Sequence, residues 1–293
     1  MNQLTAPHPP HGRFFTLALL LLTQLLPAKQ AHARFQQQQK PKAPTGYHLV
    51  YADEFNGTGK PDTTKWTWEA RPKGATNNEE QVYTDNTRDN ATLRNGCLII
   101  TGKKDYPTKD TAAPWSSARL VSRHKMDFLY GKVEVRAKLP RARGSWPAIW
   151  LMPTESLYGR WPRSGEIDIM EHTGNNYGTV LSSVHTENRN WMNGGNLTRD
   201  KHLINVDTTF HIYALEWTAD SLRFTYDDIH CYTFVNPNTR SPKDWPFDQK
   251  FYVILNVAIG GMMGGAITDA DWPDSMVVDY VRVYQKRSSQ HKR

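Results

Sequence analysis

Residues 132–138 read Lys-Val-Glu-Val-Arg-Ala-Lys, polar and apolar in strict alternation. A period of two puts the apolar side chains on one face of an extended strand and the charged ones on the other, the mark of a half-buried β-strand. Similar runs recur at 49–51, 97–101, 222–226, 251–255 and 276–284, and the segments between them are rich in Gly, Pro, Asn and Asp. Such spacing reads as strands joined by turns. No stretch sustains a helical period and strands do not alternate with helices, so the expected fold is all-β, a β-sandwich of antiparallel strands.

Within this frame one strand is unusual. Residues 164–172 read Ser-Gly-Glu-Ile-Asp-Ile-Met-Glu-His. Ile167 and Ile169 alternate with Glu166 and Asp168, so those two carboxylates share a face. Glu171, five positions after Glu166, would point the other way in an unbroken strand. One extra residue inserted as a β-bulge restores the parity, and Ile169-Met170 is the expected place for it. A solvated strand face is the bland reading of such a segment, but three acids with no base between them would repel one another there. Two carboxylates facing one substrate suit glycoside hydrolysis, one protonating the leaving oxygen and the other attacking or activating water. A third between them can tune their protonation.

The ends of the chain read differently. Arg13 precedes an apolar run over 14–26, and Ala31-His32-Ala33 supplies a small-x-small cleavage pattern. This is expected to be a secretory signal peptide over 1–33; Thr23, Gln24 and Pro27 interrupt the run, which is shorter than the roughly 20 residues of a membrane span. A Gln- and Pro-rich linker over 34–45, a single catalytic domain over 46–285 and a basic tail over 286–293 complete the expected organisation. The product is thus expected to be secreted, extracellular or periplasmic, with no membrane anchor after cleavage, and to act as a monomer. The net charge of the 293 residues is +7, dispersed and without a nucleic-acid motif, so no nucleic-acid partner is expected. The two cysteines, Cys97 and Cys231, could pair in an oxidising compartment or remain as free thiols. Sequons stand at Asn56, Asn90 and Asn196.

Aromatic residues are abundant, with 10 Trp and 13 Tyr. Trp146, Trp150 and Trp161 lie just upstream of the acidic strand, beside Pro147 and Pro162. Sugar rings offer apolar C–H faces to flat side chains, and an indole adds an N–H donor. Core packing is the competing role for each ring. Asn77-Asn78-Glu79, Arg119 and His185 are polar candidates for sugar hydroxyls.

These residues resemble glycoside hydrolase family 16. The run 165–171 matches its E-x-D-x-x-E signature, and Tyr51-Ala52-Asp53-Glu54-Phe55-Asn56-Gly57 is similar to its opening strand. The segment Asn77-Asn78-Glu79-Glu80-Gln81-Val82-Tyr83-Thr84 resembles the laminarinase-type N-N-E-x-Q-x-Y-T. Gly144-Ser145-Trp146-Pro147-Ala148-Ile149-Trp150, Val184-His185-Thr186 and Leu255-Asn256-Val257-Ala258-Ile259-Gly260-Gly261 follow in order, and the match spans about 47–285.

The resemblance implies a jelly-roll sandwich with a concave substrate cleft and a retaining endo-acting hydrolase. Glu166 would be the nucleophile, Glu171 the general acid/base and Asp168 the residue assisting the nucleophile. Retention needs carboxyl groups about 5–5.5 Å apart, so strand bending and the bulge must draw Glu166 and Glu171 together. Glu171, as the acid, is expected to carry the raised pKa. Asn78, Arg119, Trp146, Trp150 and Trp161 would shape sugar subsites on the non-reducing side, and His185 would lie near the acids on the leaving-group side. The extra residue in the signature sets the chain apart from lichenase-like members, and the resemblance of the Asn77-Asn78-Glu79 and Trp146-Pro147-Ala148-Ile149-Trp150 segments implies laminarin-like β-1,3-glucan as substrate, with mixed-linked glucan as a further one. Agarose or carrageenan, transglycosylation, and non-catalytic glucan binding are the alternatives. No cofactor is expected for catalysis. A structural calcium is implied at the Asp279 carboxylate and the backbone carbonyls of Glu54 and Gly96. Two departures stand out: Val82 replaces a common aromatic, and Gly261-Met262-Met263-Gly264-Gly265 replaces a more usual N-W-P-G ending.

Overall fold

A computed structural model describes residues 43–105 and 114–287. The expected signal peptide, most of the linker and most of the basic tail lie outside the described residues. The alternating run at 132–138 is the strand Gly131–Lys138, whose odd-numbered residues are buried and whose even-numbered ones are half-buried. It pairs with His211–Trp217 on one side and Asp274–Lys286 on the other. Around this trio an eight-stranded antiparallel sheet is built, in the order Ile229–Val235, Ser221–Tyr226, His211–Trp217, Gly131–Lys138, Asp274–Lys286, Cys97–Gly102 and Ala91–Arg94, with Tyr47–Asp53 also on Asp274–Lys286. That last strand runs through Lys286, one residue beyond the expected domain boundary.

A second eight-stranded sheet has the order Leu197–His202, Thr179–His185, Glu166–His172, Ser145–Pro153, Phe251–Ile259, Arg119–Val121 and Thr67–Trp68, with Asp127–Phe128 also on Phe251–Ile259. Neither sheet closes on itself, and together they form the jelly-roll β-sandwich expected from the sequence. The short strands Gln81–Tyr83 and Trp115–Ser117 pair in parallel beside them.

One core joins the sheets. Val133, Val135, Leu215 and Phe224 from the first meet Ile149, Leu151, Ile167 and Val253 from the second, all of them fully buried. Trp217 packs edge-on against Phe128 and Phe251 at ring separations of 5.9 and 5.4 Å, and its indole N–H reaches the Phe247 carbonyl. Trp66 stacks with Phe55 and donates to the Asp53 carboxylate at 2.8 Å. Core packing is therefore the role of some tryptophans, as the sequence left open.

The strand Phe251–Ile259 is buried along its whole length. Phe251, Val253, Leu255 and Val257 enter the core, while Tyr252, Ile254 and Ala258 join small apolar clusters on the opposite face. Both cysteines are free and half-buried. Asn90 is fully buried and bonds to Thr84, Thr101 and Ser116. A glycan cannot reach it; Asn56 and Asn196 are exposed.

Because Trp217 bridges the two layers, Trp217→Ala should cost about 3–5 kcal/mol in denaturant unfolding. A loss below about 1 kcal/mol would mean the layers are held together elsewhere.

Candidate active site

The acidic strand Glu166–His172 enters through Gly165, at φ +83°. A Cβ there would sit 2.8 Å from both the Phe247 ring and the Pro246 ring, so backbone conformation and space both require glycine. On the neighbouring strand Asp168 pairs with Ser183 and Glu171 with Leu181, leaving Ile169 and Met170 opposite the single Ser182. On the other side Met170 pairs with Ile149 and Asp168 with Trp150. The bulge thus falls at Ile169-Met170, where the sequence pattern places it. Both bulged side chains are fully buried in the core. The parity change brings Glu171 onto the face of Glu166 and Asp168.

Donors from separate segments meet these acids. The Trp161 indole N–H donates to Glu166, and the Trp146 indole N–H donates to Glu171 at 3.0 Å. Ser183 also bonds Glu171, and Glu166 and Asp168 bond each other. His185, register partner of Glu166, places Nε2 3.2 Å from Asp168 Oδ2. Asp168 is 3% exposed, while Glu166 and Glu171 keep part of their surface open.

Such crowding changes the acids. Burial pushes Glu166 up to about 8, the Asp168 charge adds to the rise, and His185 and the Trp161 N–H oppose it. Glu171 rises to about 7, again mainly through burial; the Trp146 N–H opposes this and the Glu166 charge reinforces it. Asp168 stands well above the ordinary carboxylate range through burial and the Glu171 charge. The raised pKa expected at Glu171 is present, and Glu166 is raised as well. Close carboxylates that lose hydration cannot all ionise, and so the cluster shares its protons. Near neutral pH it can hold a protonated carboxyl and a carboxylate side by side, the pair that acid-assisted substitution at carbon requires.

The wall beside the acids is a connected set. The Trp150 indole N–H donates to Asn256 Oδ1 at 2.7 Å, and Asn256 donates to the Tyr83 hydroxyl at 3.0 Å. Arg119 lies 4.6 Å above the Trp150 ring and forms an ion pair with Glu69. Trp146, Trp150 and Arg119 stand on the strands to one side of the acids, and His185 on the strand to the other. Asn78 lies apart from these contacts. It is exposed, with φ +55°, and lines a cavity of about 410 Å³ with Glu80, Gly261, Met262, Gly265 and Ile267. Gly261 lets this loop approach, since a Cβ would lie 2.7 Å from the Asn77 carbonyl. Asn256, Tyr83, Ser183, Glu69 and Trp191 were not singled out from the sequence as site residues. Trp191, 46% exposed, lies 6.2 Å from the Trp161 ring. Only the two flanking motifs, at 77–84 and 255–261, pointed toward Tyr83 and Asn256.

Metal-type donors of Glu166, Asp168 and His185 lie within 4.8 Å of one another, with His185 Nε2 facing Asp168 Oδ2. The trio implied for calcium is differently placed. Asp279 receives the Arg136 guanidinium, and the Glu54 carboxylate receives Arg282 through two bonds of 2.8 Å. A calcium site wants uncompensated oxygen charge. The one carboxylate of this trio faces a cation, the Arg136 guanidinium.

The sequence model described as Glycosyl hydrolases family 16 matches residues 75–282. A "Beta-glucanase" of Rhodothermus marinus is 42% identical over 253 residues, covering 83% of this chain and 87% of that protein. A "Keratan-sulfate endo-1,4-beta-galactosidase" of Sphingobacterium multivorum is 39% identical over 247 residues, covering 83% of this chain and 56% of that protein. The X-ray structure of the laminarinase from Rhodothermus marinus aligns with a TM-score of 0.79 at 39% identity, covering 83% of this chain and 98% of that one. A matched family model across most of the chain, a shared fold and a strand that gathers three carboxyl groups agree: this chain belongs to glycosyl hydrolase family 16 and is a glycoside hydrolase.

Proposed function

We propose that the protein is a secreted, retaining endo-β-glucanase that cleaves internal β-1,3-glucosidic bonds of laminarin-like polymers, and of mixed-linked β-1,3-1,4-glucan as well. The observation that carries the mechanism is the bulge at Ile169-Met170, which puts Glu166, Asp168 and Glu171 on one face with an indole N–H on each glutamate. Similarity to a beta-glucanase and a laminarinase supports the choice of glucan.

In the first step the Glu166 carboxylate attacks the anomeric carbon as the glycosidic bond breaks. The Glu171 carboxyl proton passes to the departing oxygen. In the second step the Glu171 carboxylate takes a proton from water, whose oxygen attacks the anomeric carbon and releases Glu166. Asp168, hydrogen-bonded to Glu166, tunes the nucleophile's charge. Transfer to a second sugar follows the same route with a hydroxyl in place of water. Export rests on residues 1–33.

A galactan-type substrate is the second reading, favoured by the 39% identity to the keratan-sulfate enzyme. Product profiles on laminarin, lichenan, agarose, carrageenan and keratan sulfate run side by side decide between them. Laminari-oligosaccharides as the main products support the first reading.

Glu166→Gln should lower reducing-sugar release from laminarin at least about 10³-fold while leaving the fold and glucan binding intact. Activity near the parent level would refute the role of Glu166.

The same variant tests the electrostatics. A carboxyl whose folded pKa is raised keeps its proton where the unfolded chain has already lost it, so stability falls as pH rises from 4.5 to about 8 and then levels off. Glu166→Gln should therefore melt above the parent at pH 8 and converge with it toward pH 4. A gap of about 1 kcal/mol corresponds to roughly 2–4 °C in Tm. A gap independent of pH would mean that Glu166 ionises as an ordinary carboxylate.

We further infer that Arg136 supplies the counter-charge to Asp279, and the domain stands without calcium. EDTA should leave Tm unchanged. A fall of several degrees, reversed by calcium, would instead place the ion among Glu54, Gly96 and Asp279.

A further inference from the structure

The loop between strands Thr179–His185 and Leu197–His202 holds an exposed tryptophan in a rigid setting. Asn190, only 3% exposed, accepts the Met192 N–H at 3.0 Å through its side-chain oxygen. Its amide donates to the carbonyls of Thr186 and Glu187, each at 3.1 Å. The Asn193 side chain accepts from the Asn190 and Gly195 backbone N–H groups, and Gly194 closes the turn at φ +67°. These bonds order a loop whose largest side chain, Trp191, remains 46% exposed. A half-exposed indole on a hydrogen-bonded loop contributes little to the core, so its placement calls for another use.

Position supplies that use. The Trp191 ring lies 6.2 Å from Trp161 at an interplanar angle of 34°, and Trp161 lies 6.0 Å from His185 and donates its N–H to Glu166. A row of flat rings therefore leads from the acids outward. Pyranose rings pack their C–H faces on indoles, and a platform held in place loses little entropy when a sugar arrives.

We propose that Trp191 forms the outer wall of a sugar-binding position next to Trp161, holding one pyranose ring of the glucan beyond the reacting linkage. The inference rests on the β-glucanase reading above. Trp191 is a positioning residue: its ring contact is with Trp161, and it works by anchoring the chain that the acids cut.

The test uses the full chain with Trp191→Ala and Trp191→Phe on laminari-oligosaccharides of increasing length. In the parent, kcat/KM should rise with each glucose until the outer position is filled. In Trp191→Ala the increment from that position should vanish, lowering kcat/KM on long chains by roughly three- to tenfold. The loss should fall on KM, with kcat and the turnover of short oligosaccharides unchanged, and Trp191→Phe should recover part of it. The same length dependence in parent and Trp191→Ala overturns the proposal. So does an equal loss at every length with a shifted pH profile, which would make Trp191 a prop for Trp161. A parent without activity on any laminarin chain refutes the glucanase reading and this inference together, whereas an active parent with an unchanged length profile refutes this inference alone.

Discussion

Three carboxyl groups crowded on one strand face repel one another, and the surrounding structure is arranged to contain that repulsion. Trp161 reaches Glu166 from the loop before the strand, Trp146 reaches Glu171 from the strand on one side, and His185 reaches Asp168 from the strand on the other. Each donor stabilises charge without delivering a fixed cation directly onto a glutamate. Had Arg or Lys been used, both glutamates would ionise at low pH and neither would keep a proton to give. Indole N–H groups and partial burial leave the pair near neutrality, where acid and nucleophile can coexist.

The bulge links this electrostatic arrangement to the core. Ile169 and Met170 both turn inward, adding apolar surface to the layer between the sheets, while Glu171 turns outward. One local irregularity thus serves packing and chemistry together. The outer face of the same sheet is lined by Trp146, Ala148 and Trp150, with Asn256 and Tyr83 beneath the indole N–H of Trp150. That polar relay satisfies the indole donor, while Arg119 lies over one face of the ring.

Much of this was legible in the sequence because it is local. Period-two alternation at 132–138, the acid spacing at 166–171 and the need for an extra residue at Ile169-Met170 depend only on neighbours along the chain. Interactions assembled from remote segments were not legible. Glu69 meets Arg119, and Ser183 meets Glu171, because strands distant in sequence pair in space. Trp191 has no acidic or apolar pattern around it, and the neighbourhood of Trp161 appears only after folding. The rise of Glu166 beside that of Glu171 was also hidden, since burial drives it and burial belongs to the whole fold.

The strand Phe251–Ile259 lies between Ser145–Pro153 and Arg119–Val121 with no face toward open solvent. In the finished molecule it is the floor beneath the cleft. During synthesis the same nine residues form an apolar, β-prone segment with no charged residue to interrupt it. They emerge late, more than a hundred residues after the first strands they must join have been made. The architecture that gives the cleft a firm floor therefore also makes the newly made chain depend on prompt capture of this strand, an aggregation-prone segment that the folded form conceals.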